Sequence, residues 1–258
     1  MAEIFKKDFT ERGDSGVSRM MGYIQEAYTK DLYWPAAGKE YERMRRSDPE
    51  IAIIRSIFSS LASAVSLEWQ INGVDTPNAQ EQAGLEFAQS VTDEMPGGLH
   101  DWLDSCISKV PFFGWGWWEV VPGIRRAGWK SPTGWMSEQN DGRIGIAKMA
   151  WRDPTTLSQW TFDEAGEMIG WKQTIVNGTH YGETIDLHKY RGIHLTFGDS
   201  VNPEGLTPLE AVYRLEYIKR GLEMVQGIGY EHAAGYLDIR VTEKLGDSAD
   251  TAKIKQAA

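Results

Sequence analysis

Apolar residues recur at helical spacing in four stretches of this chain and alternate at strand spacing in several others. The first firm helix opens at Asp48-Pro49, an N-cap followed by proline at the first helical position. Ile51, Ile54, Phe58, Leu61 and Val65 carry its stripe. Ala52, Ser56, Ser59, Ser60 and Ser63 leave small residues beside that stripe, which suits close packing on another element. The alternation in Leu67-Glu68-Trp69-Gln70-Ile71 then predicts a strand ended by Asn72-Gly73. A second helix is predicted from Asn78 to Glu94. Met95-Pro96-Gly97-Gly98 breaks it, and a third runs from Leu99 to Val110 with Leu99, Trp102, Leu103, Cys106, Ile107 and Val110 on one face. Phe112 to Val121 follows as a bulky strand punctuated by glycines.

Beyond about Ile144 the pattern becomes short strands and turns. Met149–Arg152, Ser158–Phe162, Met168–Val176 and Ile193–Phe197 are the strands, with turns at Asp163–Gly166 and Asn177-Gly178. Gly123–Gly142 has little periodicity and is expected to be a flexible loop. The last strong element starts with Thr207 as N-cap, Pro208 at the first position and Glu210 three residues after the cap. Leu209, Val212, Leu215, Ile218, Leu222 and Val225 carry its stripe to about Tyr230, a length of roughly 33 Å. Tyr236–Val241 reads as a further short strand. Met1 to Gly38 is polar and weakly patterned, an extended arm with a short helix over Met20–Tyr28. The fold class is α+β, divided into an N-terminal arm (1–47), a body of helices and short antiparallel strands (48–202), a long helix (203–232) and a terminal segment (233–258).

Composition changes this picture at two points. The chain of 258 residues holds 11 tryptophans, which need a substantial core or buried surface at a partner. Its formal net charge is −10, so the general basic footprint of a protein that grips DNA is absent. The single cysteine, Cys106, excludes an internal disulfide framework and a multi-cysteine zinc site, and its place on a helical stripe makes it a small core residue. The chain begins without a signal-peptide pattern, and nowhere do eighteen apolar residues run together, so no membrane partner is expected.

Candidate chemistry is sparse. GxSxG, Walker A, Rossmann GxGxxG and HExxH patterns are all absent from the sequence. Of the five histidines, His100, His180, His188, His194 and His232, the pair His180 and His188 lies eight apart with no acidic or cysteine partner at a metal-ligand spacing, and all five read as scattered surface or strand residues. The carboxylates of Asp163-Glu164 belong to a turn, where such residues are common; Asp101 and Asp104 are the other pair weighed as acid and base. No catalytic residue, cofactor or metal is therefore expected, and the chain is read as a protein other than an enzyme. Gly114-Trp115-Gly116-Trp117-Trp118 admits two readings. Trp115, Trp117 and Trp118 are core or interface aromatics, or they form an exposed platform for sugars or bases. The small basic clusters at Arg43, Arg45 and Arg46, at Arg125 and Arg126, and at Lys219-Arg220 read as solvated or inter-subunit salt-bridging faces.

Four stretches, taken in order, resemble the N-terminal part of tailed-phage portal proteins, including the Mu-type branch. Asp48-Pro49-Glu50 opens a helix that leads to Leu67-Glu68-Trp69-Gln70-Ile71. Val110-Pro111-Phe112-Phe113-Gly114 precedes Trp118-Glu119-Val120-Val121. Trp151-Arg152-Asp153-Pro154 precedes an aromatic strand and a hairpin. Gly205-Leu206-Thr207-Pro208-Leu209-Glu210-Ala211 leads through a helix to Glu231-His232-Ala233-Ala234-Gly235-Tyr236-Leu237, where the family's usual proline is missing. The resemblance spans Asp48 to Val241 and rests on order and spacing.

The resemblance implies a wing, then a stem helix, then the start of a clip, either truncated or unusually short, in a ring of about twelve subunits at one capsid vertex. Such a ring passes double-stranded DNA non-specifically during packaging and ejection, and meets the major capsid protein, the terminase large subunit and a head-tail adaptor. Location would be the virion, after synthesis in the host bacterial cytoplasm. Lys219, Arg220, Glu223 and Gln226 are the candidate channel or stem residues. A dozen copies at −10 each would carry about −120, which discourages tight phosphate contact and favours sliding. The alternatives are a tryptophan-rich carbohydrate-binding module or glycosidase and another head-tail structural component.

Overall fold

The computed structural model describes residues 16–71, 78–176, 178, 180–198 and 201–234. Five α-helices lie among them: α1 (Ala36–Ser47), α2 (Pro49–Ser63), α3 (Ala79–Asp93), α4 (Gly98–Phe113) and α5 (Pro208–Ala234). The strands are β1 (Arg19–Met20), β2 (Tyr23–Ile24), β3 (Trp115–Ile124), β4 (Ile144–Arg152), β5 (Leu157–Phe162), β6 (Met168–Thr174), β7 (Thr184–His188) and β8 (Gly192–Thr196). All pairings are antiparallel: β1 with β2, a sheet ordered β4-β3-β8, and a sheet ordered β5-β6-β7. The α+β expectation holds. The chain divides into a compact unit ending at Ala211 and a second beginning at Val212.

Local chemistry explains where the helices start. Asp48 accepts the backbone N–H groups of Glu50 and Ile51 ahead of Pro49. Asn78 and Glu81 form a reciprocal capping box at α3, so two of the orphan donors at that terminus are satisfied. Gly114, at φ +84°, closes α4 as its N–H bonds to the Val110 carbonyl.

Strand alternation organises the core. Trp115 and Trp117 point to one face of β3, while Gly116 and Trp118 belong to the other. On the first face Trp115 lies 4.8 Å from Trp160 of β5 and 5.5 Å from Trp171 of β6, between ring centroids. The second face packs on α4, where Cys106 and Val110 meet Trp118, with Trp102, Met149 and Trp151 around them. Gly116 is required there: a Cβ would stand 2.8 Å from the Trp118 ring and 2.9 Å from the Trp151 ring.

Several expectations are corrected. Residues 16–47 are no detached arm, since Ile24, Leu32, Trp34, Tyr41 and Met44 are all buried in the first unit. The short helix expected over Met20–Tyr28 is a hairpin, Arg19 facing Ile24 and Met20 facing Tyr23. Its turn needs positive φ at Met21 and Gly22, which an α-helix cannot accommodate. Helix α1 was unforeseen although Ala37, Tyr41 and Met44 recur at helical spacing. Glu42 pairs with Arg45 and Arg46, and Glu40 with Arg43, on its outer side. Leu67–Ile71 joins no ladder, and Leu67 and Trp69 stay exposed. Alternation fits a residue for a sheet edge but cannot supply one.

Gly123–Gly142 is ordered, not a free loop. Ser131 N–H bonds to the Trp135 carbonyl, and Lys130 bridges to Met136. Strand β7 was also unforeseen. The turns at Asn72-Gly73 and Asn177–Thr179, the strand Tyr236–Val241 and the terminal segment after Ala234 lie wholly or partly outside the described residues.

Candidate functional site

Tryptophans 115, 117 and 118 are exposed by 0%, 0% and 1%. Covered on both faces of the sheet, they offer no platform to a sugar or base. The indole N–H groups of Trp102, Trp115, Trp117 and Trp171 are buried without a hydrogen-bond acceptor, a cost of about 1–3 kcal/mol each set against their large apolar burial.

Trp160 differs, because its indole N–H donates to Glu204 at 2.9 Å. Burial pushes the Glu204 carboxyl up to about 8, and the nearby Glu26 and Glu210 add to the rise against that hydrogen bond. His194 stands among Trp115, Trp117 and Trp160. Burial pushes it down to about 4, and its Nε2–H donates to the Pro203 carbonyl at 2.9 Å. The Cys106 thiol, pushed up by burial to about 12, stays protonated and unreactive.

The segment Asn202–Thr207 joins this layer to the last helix by close backbone contact. A Cβ at Gly205 would stand 2.1 Å from the Gly114 carbonyl oxygen, and one at Gly114 would stand 2.5 Å from the Glu204 carbonyl oxygen. Both positions also have positive φ, so only glycine lets the two strands of backbone meet. Thr207 donates its hydroxyl to the Pro111 and Phe112 carbonyls, at 2.8 and 3.2 Å, and accepts Leu209 N–H as cap of α5.

Helix α5 continues beyond this anchor for about 40 Å in all at 1.5 Å per residue. Two apolar stripes run along it and both are exposed. Leu215, Ile218, Leu222 and Val225 form the first; Tyr217, Met224 and Ile228 form the second, with Gly221 between them. At 100° per residue the stripes lie about 120° apart around the helix. Lys219, Glu223 and Gln226 recur at i, i+4 and i+7, so they share a third, polar face. Arg220 lies at its border with its guanidinium 5.5 Å from the Tyr217 ring, and Gln226 donates to the Tyr230 hydroxyl at 3.1 Å.

Helix α2 has a related asymmetry. Ile51 and Ala62 are buried, Phe58 meets Phe112 edge-on at 6.1 Å, and Ser59 donates to Asp104 at 2.6 Å. Ile53, Ile54, Ile57 and Leu61 remain exposed.

The basic clusters separate into different roles. Arg125 is buried, 3.2 Å from Glu94 and 3.3 Å from Asp141, with its guanidinium over the Phe87 ring. It ties 125–142 to the end of α3, a function its place in a polar glycine-containing stretch does not reveal. Glu94 also accepts the Ser137 hydroxyl and the N–H groups of Glu138 and Gln139. Among the described residues no cluster of three or more His, Cys, Asp or Glu side chains is arranged to hold a metal, and no helix is long and apolar enough to cross a membrane.

No family model and no curated protein matches the chain. Among solved structures it is similar to a chain in the neck of an empty GTA particle computed with C6 symmetry, with a TM-score of 0.48 and 12% sequence identity. The match covers 94% of this chain and spans 58% of that one. A TM-score below one half does not establish a common fold.

Proposed function

We propose that the chain is a structural subunit of a phage portal ring, with α5 as its stem helix and the preceding α+β body as its wing. The observation that carries this reading is the pair of exposed apolar stripes on α5. One stripe would suit a single partner, whereas a helix apolar on two sides needs neighbours on both. A closed ring of identical helices supplies them, since each copy then offers one stripe to the copy before it and the other to the copy after it. The polar face bearing Lys219, Glu223 and Gln226 is then free to line the channel, with Arg220 at its edge.

In this reading the chain does no chemistry, and an external ATPase drives the DNA. The order of the four portal-like stretches between Asp48 and Val241 supports it. The carbohydrate-binding alternative loses its aromatic platform, because Trp115, Trp117 and Trp118 are enclosed. Native mass of the purified chain, with negative-stain images of the same sample, tests the proposal. Rings of about twelve subunits with a central hole are expected. Closed rings of clearly different subunit number would favour another head-tail component. A monomer that persists in a chain extended beyond Ala258 would overturn the ring.

A further inference from the structure

A cavity of about 200 Å³ opens within the first unit beside the Gly114–Gly205 contact, lined by Trp34, Tyr41 and Phe113 on its apolar side and by Glu26, Glu204 and Glu210 on its polar side. No lysine, arginine or histidine lines it. Trp34 and Tyr41 meet edge-on with centroids 6.2 Å apart, so aromatic rings and carboxylates line one space. The carboxylates are held in place separately. Glu26 accepts Asn202 Nδ2–H at 2.9 Å, Glu204 accepts Trp160, and Glu210 accepts the Tyr28 backbone N–H.

Tyr41 supplies the independent observation. It is only 3% exposed, yet its hydroxyl has no hydrogen-bond partner among the described residues. Burial pushes its pKa up, and the charges of Glu210 and Glu204 push it further; all three residues line the cavity. An unpaired phenol hydroxyl on a largely buried side chain, in an acidic and aromatic-walled space, leaves room for a donor that carries positive charge.

We propose that this cavity binds an alkylammonium group, held by cation–π contact with Trp34, Tyr41 and Phe113 and by charge-assisted hydrogen bonds to Glu204, Glu210 and the Tyr41 hydroxyl. Aromatic rings around an ammonium with carboxylates at its N–H groups are a recurrent recognition chemistry. The volume admits a short amine or the end of a lysine side chain and is too small for a drug-sized ligand. The site is independent of ring formation, because every group in it belongs to one chain.

The test is calorimetric titration of the full-length chain at pH 8.5, where Glu204 is largely ionised and an alkylamine keeps its charge. The probes are n-butylammonium, its neutral counterpart n-butanol, and N-acetyl-lysine methylamide. Butylammonium is expected to bind at least tenfold more tightly than butanol. The Glu210→Gln variant, altered at the half-exposed side of the cavity, should weaken binding several-fold without loss of fold, and Glu204→Gln at least tenfold. Tighter binding of the lysine derivative would assign the occupant to a side chain of a partner, and tighter binding of butylammonium to a free amine. Equal affinity for butylammonium and butanol, or no heat from either charged probe, overturns the proposal. Binding that survives unchanged in both Glu variants overturns it as well.

Discussion

Helices α4 and α5 carry similar apolar patterning, yet one is enclosed and the other is bare. On α4, Cys106 and Val110 are buried against Trp118, with Trp102 beside them. On α5, Leu215 and Leu222 are 67% and 65% exposed. Helix α2 combines both conditions, one side closed by Phe112 and Asp104 and the other open at Ile53, Ile54, Ile57 and Leu61. The difference teaches that periodicity identifies which face is apolar but not which molecule covers it. In α4 the cover is in the same chain. In α5 the open surface forms two stripes with a polar third face, a pattern suited to repeated helices and not to the surface of an isolated domain.

The largest expected effect separates these two kinds of face. Trp118→Ala should destabilise the dispersed chain by about 3–5 kcal/mol, since it opens a large void between β3 and α4. Leu222→Ala should change the same quantity by less than about 0.5 kcal/mol, because an exposed position loses little on truncation. Urea unfolding of both variants under conditions that keep the chain monomeric measures the contrast. Equal losses would mean that α5 is covered by its own chain, and the comparison would collapse. If copies of α5 close a ring as proposed, the ranking should change in the assembly, with Leu222→Asp abolishing rings in electron micrographs while leaving the far-ultraviolet spectrum intact.

Arg125→Met sharpens the contrast between buried and exposed basic residues. Removal of the guanidinium leaves Glu94 and Asp141 without their cation, and breaking such a buried pair costs about 3–5 kcal/mol. Methionine keeps most of the bulk over Phe87, so the loss reports charge more than volume. Chemical unfolding should show that loss, accompanied by faster proteolysis within 125–142. A loss below about 1 kcal/mol would show that this cation is not what holds the segment.

Titration offers a smaller effect with a definite sign. Glu204, raised from 4.5 to about 8 in the fold, keeps a proton that the unfolded chain has released. Its contribution is fully present below pH 4.5 and is lost as pH rises through 8. His194, lowered from 6.5 to about 4, refuses a proton that the unfolded chain takes up. Its contribution is fully present above pH 6.5 and is lost as pH falls through 4. The two oppose each other between 4.5 and 6.5, so the clean window is pH 6.5 to 8, where the melting temperature should fall as pH rises. Glu204→Gln should flatten that slope, and an unchanged slope would remove Glu204 as its source.

Much of this architecture was legible in the sequence, for reasons that differ by element. The starts of α2, α3 and α5 are written in local chemistry, by Asp48-Pro49, by Asn78 with Glu81, and by Thr207-Pro208. The alternation of Trp115, Gly116, Trp117 and Trp118 is likewise readable as a strand, but the assignment of each ring to its partner depends on residues far along the chain. The hairpin at Met21-Gly22 was hidden because Met20–Tyr28 has apolar residues that also fit a helix. Of the candidate site, the i, i+4, i+7 relation of Lys219, Glu223 and Gln226 follows from the sequence. The convergence of Glu26, Tyr41, Glu204 and Glu210 does not, because it arises only when the hairpin, α1 and the turn before α5 are brought together. Arg125 illustrates the same limit, its two carboxylate partners being separated from it by long stretches of chain.

The smallest expected effect on stability belongs to the polar face of α5. Replacing Lys219 and Arg220 together with alanine should move the unfolding free energy by less than about 1 kcal/mol, since Arg220 is exposed, its contact with the Tyr217 ring is worth little in water, and the half-buried Lys219 gives up only its own surface interaction. If this face lines a channel, rings should still form at normal size, because the apolar stripes that join the copies are untouched. DNA packaging should change instead, measured as the length of DNA retained per particle, since two cations would be removed from every copy along its path. Loss of the ring would place these residues at the contact between copies and turn the helix by about a third of a revolution. The variant therefore distinguishes two orientations of α5 that its exposure alone leaves equivalent, by separating assembly from transport.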